Sequence, residues 1–205
     1  VYRKSCFVMN SLAFICCAGF IACIQDFIYI VFGSNFVLSF SCVLILVFSM
    51  LIYLLDIPII SVQNAMGLHR CDAGVMIIQA VLAIACGYGA GKVWGMEGIL
   101  LGLTIPTVIF TFIHKGIVIS KVAFEVTSYK YLKDMGSDLI KGIVIIGVIS
   151  AICNCIPAWN PVIAMILKGI LSVIISGILI IAFSFKSEYF KETLAMLMRV
   201  LKLQK

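Results

Sequence analysis

The chain has 205 residues, 63% of them hydrophobic and 12% charged, and its mean hydropathy is +1.22. A soluble domain is roughly a quarter charged, so this composition excludes an ordinary globular protein and describes one that crosses a membrane several times. The net charge of +6 does not call for nucleic acid. Retention of Lys and Arg on the cytoplasmic side of the spans accounts for it.

Each span needs ~20 apolar residues. Polar breaks near 26–35, 61–72, 91–97, 120–138 and 153–161 divide the chain into six expected transmembrane helices, at 6–30, 36–60, 73–91, 98–118, 139–156 and 162–184. The expected fold class is all-α integral membrane. Arg3 and Lys4 precede the first span, and Arg70 lies between the second and third. Lys115, Lys121, Lys130, Lys133 and Lys141 flank the fourth connection, and Lys186, Lys191, Arg199, Lys202 and Lys205 follow the sixth span. The opposite side has only Lys92. This alternation predicts a multi-pass protein with both termini cytoplasmic.

The opening VYRKSCF has neither an initiator Met nor a cleavable leader pattern. The chain is expected to begin part-way through a longer protein. In the first span, Gln25 and Asp26 lie near the outer end and lead into an amphipathic turn, FIYIVFGSNF, closing at Gly33. The second span is expected to end at LLDIPIISVQN, where Pro58 removes a backbone donor and Asp56 reads as an interfacial residue near the basic loop of His69 and Arg70. His69 and Asp72 are separated by two residues, with no nucleophile elbow, metal-ligand cluster or phosphate-cradling glycine loop beside them. Neither enzymatic activity nor a cofactor or metal is expected.

The runs from Ala73 to Ala90 and from Gly98 past Ile113 are joined by Gly91, Lys92, Trp94, Gly95, Glu97 and Gly98. Charges, an interfacial aromatic and permissive backbone in so few residues predict a transmembrane hairpin. Gly67, Gly95 and Gly98, with Pro58, are the expected structural turn residues. From Ile119 to Ser137, Phe124, Tyr131, Leu132 and Met135 recur at helical spacing among lysines, which suits a cytoplasmic amphipathic connection. The tail 186–205 shows the same pattern with Phe190, Leu194, Leu197, Met198 and Leu201. Of the nine cysteines, Cys6, Cys16, Cys17, Cys23, Cys42 and Cys86 lie in apolar runs and serve as small hydrophobes. Cys153 and Cys155 are too close for an easy mutual bridge.

The sixth span, PVIAMILKGILSVIISGILIIAF, carries Lys168 about 10 Å from its outer end. Two readings stand beside each other there: a lysine that snorkels to the surface and a cation facing a solvated cavity.

FIYIVFGSNF, then PIISVQNAMGLHR, then GMEGILLG resemble, in this order, the C-terminal portion of bacterial polysaccharide flippases of the Wzx type, in the superfamily shared with multidrug (MATE) exporters. The likeness covers 27–131 and rests on Pro58, Asn64, Ala65, Gly67, Leu68, Gly95 and Gly98; the last two spans match in layout only. Where those transporters often have Arg beside the turn Asn, this chain has Gln63, and where the next helix often has Asn and Ser four apart it has Ala83 and Gly87.

The resemblance implies the C-terminal part of a MATE-like, two-lobed transporter. Residues 1–118 would supply four helices of the C-terminal lobe, 119–138 the cytoplasmic connection, 139–185 an accessory helix pair and 186–205 a basic tail. The implied activity is flipping of lipid-linked oligosaccharide repeat units across the bacterial cytoplasmic membrane. The implied partners are membrane lipid, an undecaprenyl-linked oligosaccharide and the N-terminal lobe of the same protein. Lys168, Gln63, Asn64, Arg70 and Gln79 are the substrate-path candidates. A cation-coupled exporter would want a pair of membrane-embedded carboxylates, for which only Asp26 and Asp56 offer themselves. A non-transporting subunit of a polysaccharide-assembly complex is the alternative from another class.

Overall fold

In the computed structural model, residues 2–67, 69–110, 128–154 and 160–184 are described, and all their regular structure is helical. We number the helices α1 (Tyr2–Phe32), α2 (Phe40–Ala65), α3 (His69–Val108), α4 (Ser128–Asn154) and α5 (Pro161–Ser184), with a 3-10 turn at Ser34–Phe36. Among the described residues, five helices are long and apolar enough to cross a membrane.

α1 is the hub of a four-helix core. Its buried positions Phe14, Cys17, Ala18, Ile21 and Ala22 follow the three-then-four spacing that puts them on one stripe. Against them pack Val43, Val47, Leu51 and Leu55, every fourth residue of α2, with Ile145, Ile146 and Ile149 of α4 and Ile180 of α5. Lipid is as apolar as leucine, so the gain here comes from close packing more than from leaving water, and small side chains at the crossings make it possible. Gly142 is such a crossing: a Cβ there would lie 2.8 Å from the Phe14 ring and 3.0 Å from Leu51. Ser172 and Ser176 of α5 are fully buried, and each hydroxyl donates to a carbonyl of its own helix, Gly169 and Val173. Neither hydroxyl therefore enters the interior unbonded.

Cross-contacts fix the helix directions. Asn10 meets Asp138 and Phe14 meets Gly142, so α1 and α4 run parallel. Gly19 faces Ser172 and Asp26 faces Lys168, so α5 runs antiparallel to α1.

α3 is not one straight rod. Gly95, at φ 59° and ψ −133°, interrupts it with a conformation that only glycine adopts readily. The chain folds back there, because Gly98 lies against the backbone of Ala90 and Gly91, and Gly102 against Cys86 and Gly87. A continuous helix would separate Ala90 from Gly98 by ~12 Å. Each arm carries glycines four apart, Gly87 and Gly91 on the first and Gly98 and Gly102 on the second, the spacing that lets helix backbones touch. Gln79 closes the far part of the hairpin by donating to Thr107 at 3.3 Å.

The hairpin packs chiefly on α2. Ser39, which caps α2 by accepting from the Cys42 amide, donates to Glu97 at 2.7 Å, and Ser49 meets Thr104 at 2.5 Å. The second arm therefore runs parallel to α2. Only 6% of the most apolar stretch of α3 is buried, against 44% for α2, so the hairpin is a flank of the molecule.

Several expectations need correction. Pro58 marks no turn: it is buried inside α2, which continues to Ala65, so the second span does not end near 60. A proline costs one backbone bond and a kink, and packed neighbours make that tolerable within a membrane. Asp56, expected near the basic loop, is buried among the helices, 3% exposed. Gly98 sits one turn into the second arm, where it serves backbone contact and not the turn itself. Gly67 holds a turn, with φ 67° and its amide donating to the Asn64 carbonyl. Gly33 stops α1, and the expected amphipathic turn from Phe27 to Phe32 is a continuation of that helix. α4 starts at Ser128, so Leu132 and Met135 belong to it, with Met135 buried. The pair expected to be accessory, α4 and α5, supplies core residues. Phe124, residues 111–118 and the tail 186–205 lie outside the described residues.

Candidate functional site

Charged and polar groups inside apolar helices are costly and concentrate at functional places in membrane proteins. Two such places lie within the spans. The first joins α1 to α5. Lys168 Nζ donates to Asp26 Oδ2 at 2.7 Å, with the side chains 13% and 16% exposed. Cys23, one turn before Asp26, donates to the Met165 carbonyl at 3.5 Å, and a Cβ on Gly169 would lie 3.2 Å from its sulfur. The small residue next to Lys168 lets α1 come near enough for the pair to form.

Lys168 is thus neither a snorkelling anchor nor an unpaired cation in a cavity. Its charge is cancelled by Asp26 across the helix interface. Breaking such a pair by removing one partner costs about 3–5 kcal/mol, because the other charge is left uncompensated, whereas the intact pair is close to neutral in net stability. The pair acts as a latch between α1 and α5.

The second place is a polar seam on α2. Ser49, Asp56 and Gln63 recur every seven residues, hence on one side of the helix. Asp56 and Gln63 are each 3% exposed. Ser49 contacts Thr104 of the second arm, so this side is the one turned to the hairpin at that level. Thr104 is itself buried and also bonds the Leu100 carbonyl. Gln79 and Thr107 continue the polar character between the two arms.

No family model, curated protein or solved structure matches this chain.

Of the substrate-path candidates, Gln63 lies in the seam and Gln79 in the hairpin. Asn64 is exposed at the end of α2, and Lys168 is in the latch, so the four are not one cluster. The side chains of Arg70, His69, Cys71 and Asp72 lie outside the described residues. Ser49 and Thr104 are the additions that the structure makes, beside Asp26 and Asp56, which the sequence offered only as an exporter's carboxylate pair. The seven-residue recurrence of Ser49, Asp56 and Gln63 was a signal available in the sequence. The partnership of Asp26 with Lys168, 142 residues apart, was not.

At the tip of the hairpin, Lys92 lies 4.5 Å from the centre of the Tyr88 ring, and Trp94 is exposed. A cation and two amphipathic aromatics suit the membrane–water boundary. Among the residues whose side chains are described, no group of three His, Cys, Asp or Glu could hold a metal ion.

Proposed function

We propose that this chain is part of a transporter that moves lipid-linked oligosaccharide repeat units across the bacterial cytoplasmic membrane by alternating access, with the hairpin supplying two of six crossings. The observation that carries the reading is the polar seam of α2, with a buried carboxylate well inside an apolar helix. A sugar and phosphate headgroup cannot cross ~30 Å of hydrocarbon unaided, since each unpaired polar group costs several kcal/mol there. A seam of hydroxyls, amides and one carboxylate, beside a hairpin that contributes no residue to the core cluster, is a wall against which such a headgroup would exchange water for protein hydrogen bonds.

The order of Asn64, Gly67, Gly95 and Gly98 supports the same reading through the flippase resemblance. In this reading both termini are cytoplasmic and the hairpin tip with Lys92 faces outward. The N-terminal lobe of the complete protein would form the opposite wall.

The test is transport by the complete protein in a flippase-deficient strain. Asp56→Asn and Gln63→Leu should each reduce surface polysaccharide at unchanged abundance. Normal export by both variants would remove the seam from the path. Buried Asp56 also favours a second reading, cation-coupled export of small molecules. Loss of drug resistance with intact polysaccharide in Asp56→Asn would select it.

A further inference from the structure

At the end of the bundle opposite the latch, α1, α4 and α5 leave a shallow open cleft of about 40 Å³. Asn10, Ser11, Asp138 and Lys141 form its polar part, and Phe7, Phe14, Ile180 and Phe183 are among its apolar walls. Asp138 organises the polar part. Its Oδ2 accepts from the Asn10 amide at 2.9 Å and its Oδ1 from Lys141 Nζ at 2.8 Å. Each carboxylate oxygen has a further lone pair, and the ammonium of Lys141 has two further donors. The Asp138 and Lys141 side chains are 33% and 38% exposed, so both can be reached from the cleft. The carbonyl oxygen of Asn10 is buried and has no hydrogen-bond partner, an unmet demand for a donor beside the carboxylate. The Ser11 hydroxyl is already engaged with the Phe7 carbonyl.

The depth of the cleft is that of a lipid headgroup. Asn10 lies 22 residues before the end of α1 and Asp138 16 before the end of α4, which is ~33 Å and ~24 Å of helix. These lengths bracket the ~30 Å hydrocarbon layer. The polar groups therefore stand at its edge, with Phe7 on the aqueous side of Asn10 and Phe14, four residues further along α1, toward the acyl region.

We propose that this cleft binds a phospholipid with a primary-amine headgroup, of the phosphatidylethanolamine class. Its ammonium donates to Asp138, which Asn10 holds in place, Lys141 turns to the phosphate, and an acyl chain runs along Phe14 and Ile180. One acidic and one basic group side by side complement a zwitterion, whereas a purely anionic headgroup would meet Asp138 unfavourably. The proposal is independent of the transported substrate.

The experiment measures lipid retention by the purified, delipidated protein in native mass spectrometry. The added lipids share dioleoyl chains and differ in the headgroup: ethanolamine, its trimethylated form choline, and glycerol. A choline group keeps the charge and has no N–H, so the ethanolamine lipid should be retained about tenfold better, the effect of a hydrogen bond to a charged group. Asn10→Leu and Asp138→Asn should bring ethanolamine retention down toward the choline level, with unchanged helix content checked by circular dichroism. Equal retention of the ethanolamine and choline lipids by the unmodified protein overturns the proposal, whether or not the variants fold. Preference for the glycerol lipid also overturns it, in favour of phosphate recognition by Lys141 alone.

Discussion

In the core of α1, α2, α4 and α5, side chains make the contact: Phe14, Leu51 and Ile145 interlock, and Asp26 meets Lys168 across the α1–α5 interface. In the hairpin, backbone makes it, with Gly98 against Ala90 and Gly102 against Gly87. The difference teaches what each region tolerates. A side-chain core can rearrange around a changed residue, whereas two backbones in contact have no rotamers to give. A side-chain latch can also be removed in matched halves, which a backbone contact cannot.

The strongest way to break the core alone is Lys168→Met, which leaves Asp26 uncompensated in the α1–α5 interface. We expect a loss of about 3–5 kcal/mol. Adding Asp26→Leu should restore most of it, since replacing both members of a buried pair by apolar groups is often neutral. Denaturation in mild detergent, followed by circular dichroism, measures both. If the double variant is no more stable than the single, the pair does not act as a unit.

The hairpin should break separately with Gly98→Val. Its Cβ would overlap the Ala90 carbonyl, and a cost at or above the usual 1–3 kcal/mol for overpacking follows. Gly89, one residue before Ala90, has open space around it. Gly89→Ala should therefore be neutral or slightly stabilising, through helix propensity alone. Protease resistance of the hairpin tip, read at Trp94, distinguishes them, and equal sensitivity of the two variants would contradict backbone contact as the cause.

A milder effect is expected where the core meets a glycine through side chains. Gly142→Ala places a methyl 2.8 Å from the edge of the Phe14 ring. The ring can shift, so about 1 kcal/mol is expected, at the low end of overpacking. A loss as large as that of Gly98→Val would show the core to be no more adaptable than the hairpin.

The smallest effect belongs to the joint between the regions. Ser49→Ala removes the contact with Thr104, and interhelical hydrogen bonds in membranes average about 0.6 kcal/mol. Stability should hardly change. The distance between spin labels on the hairpin and on α1 should broaden, which tests whether Ser49 registers the hairpin on α2.

The hairpin was legible in the sequence because its signals are local: two apolar runs, Lys92 and Trp94 between them, and Gly95 at the return. The number of apolar helices was close to legible for the same reason. What the sequence hid depends on tertiary contact. Asp26 looked like a surface residue at a helix end until α5 delivered Lys168 to it. Pro58 and Asp56 read as an ending because both are poor helix-interior residues, yet both are buried and α2 continues through them to Ala65. Polar residues seven apart on α2 were open to view, but the burial of Asp56 and Gln63 was not. Lys168 drew attention as the charge inside the last apolar run, and the structure shows what it meets there, the carboxylate of Asp26.

The return of α3 at Gly95 is what separates the hairpin from a single long helix. Cysteines introduced as Gln79→Cys and Thr107→Cys, with the native cysteines replaced by alanine, test this directly with a short bifunctional maleimide. The 3.3 Å approach of the Gln79 amide nitrogen to the Thr107 hydroxyl puts both thiols within its reach in one chain, and mass spectrometry identifies the linked peptides. In a straight helix the two positions would stand ~42 Å apart, and failure to cross-link in folded protein would contradict the hairpin and the six-crossing topology built on it.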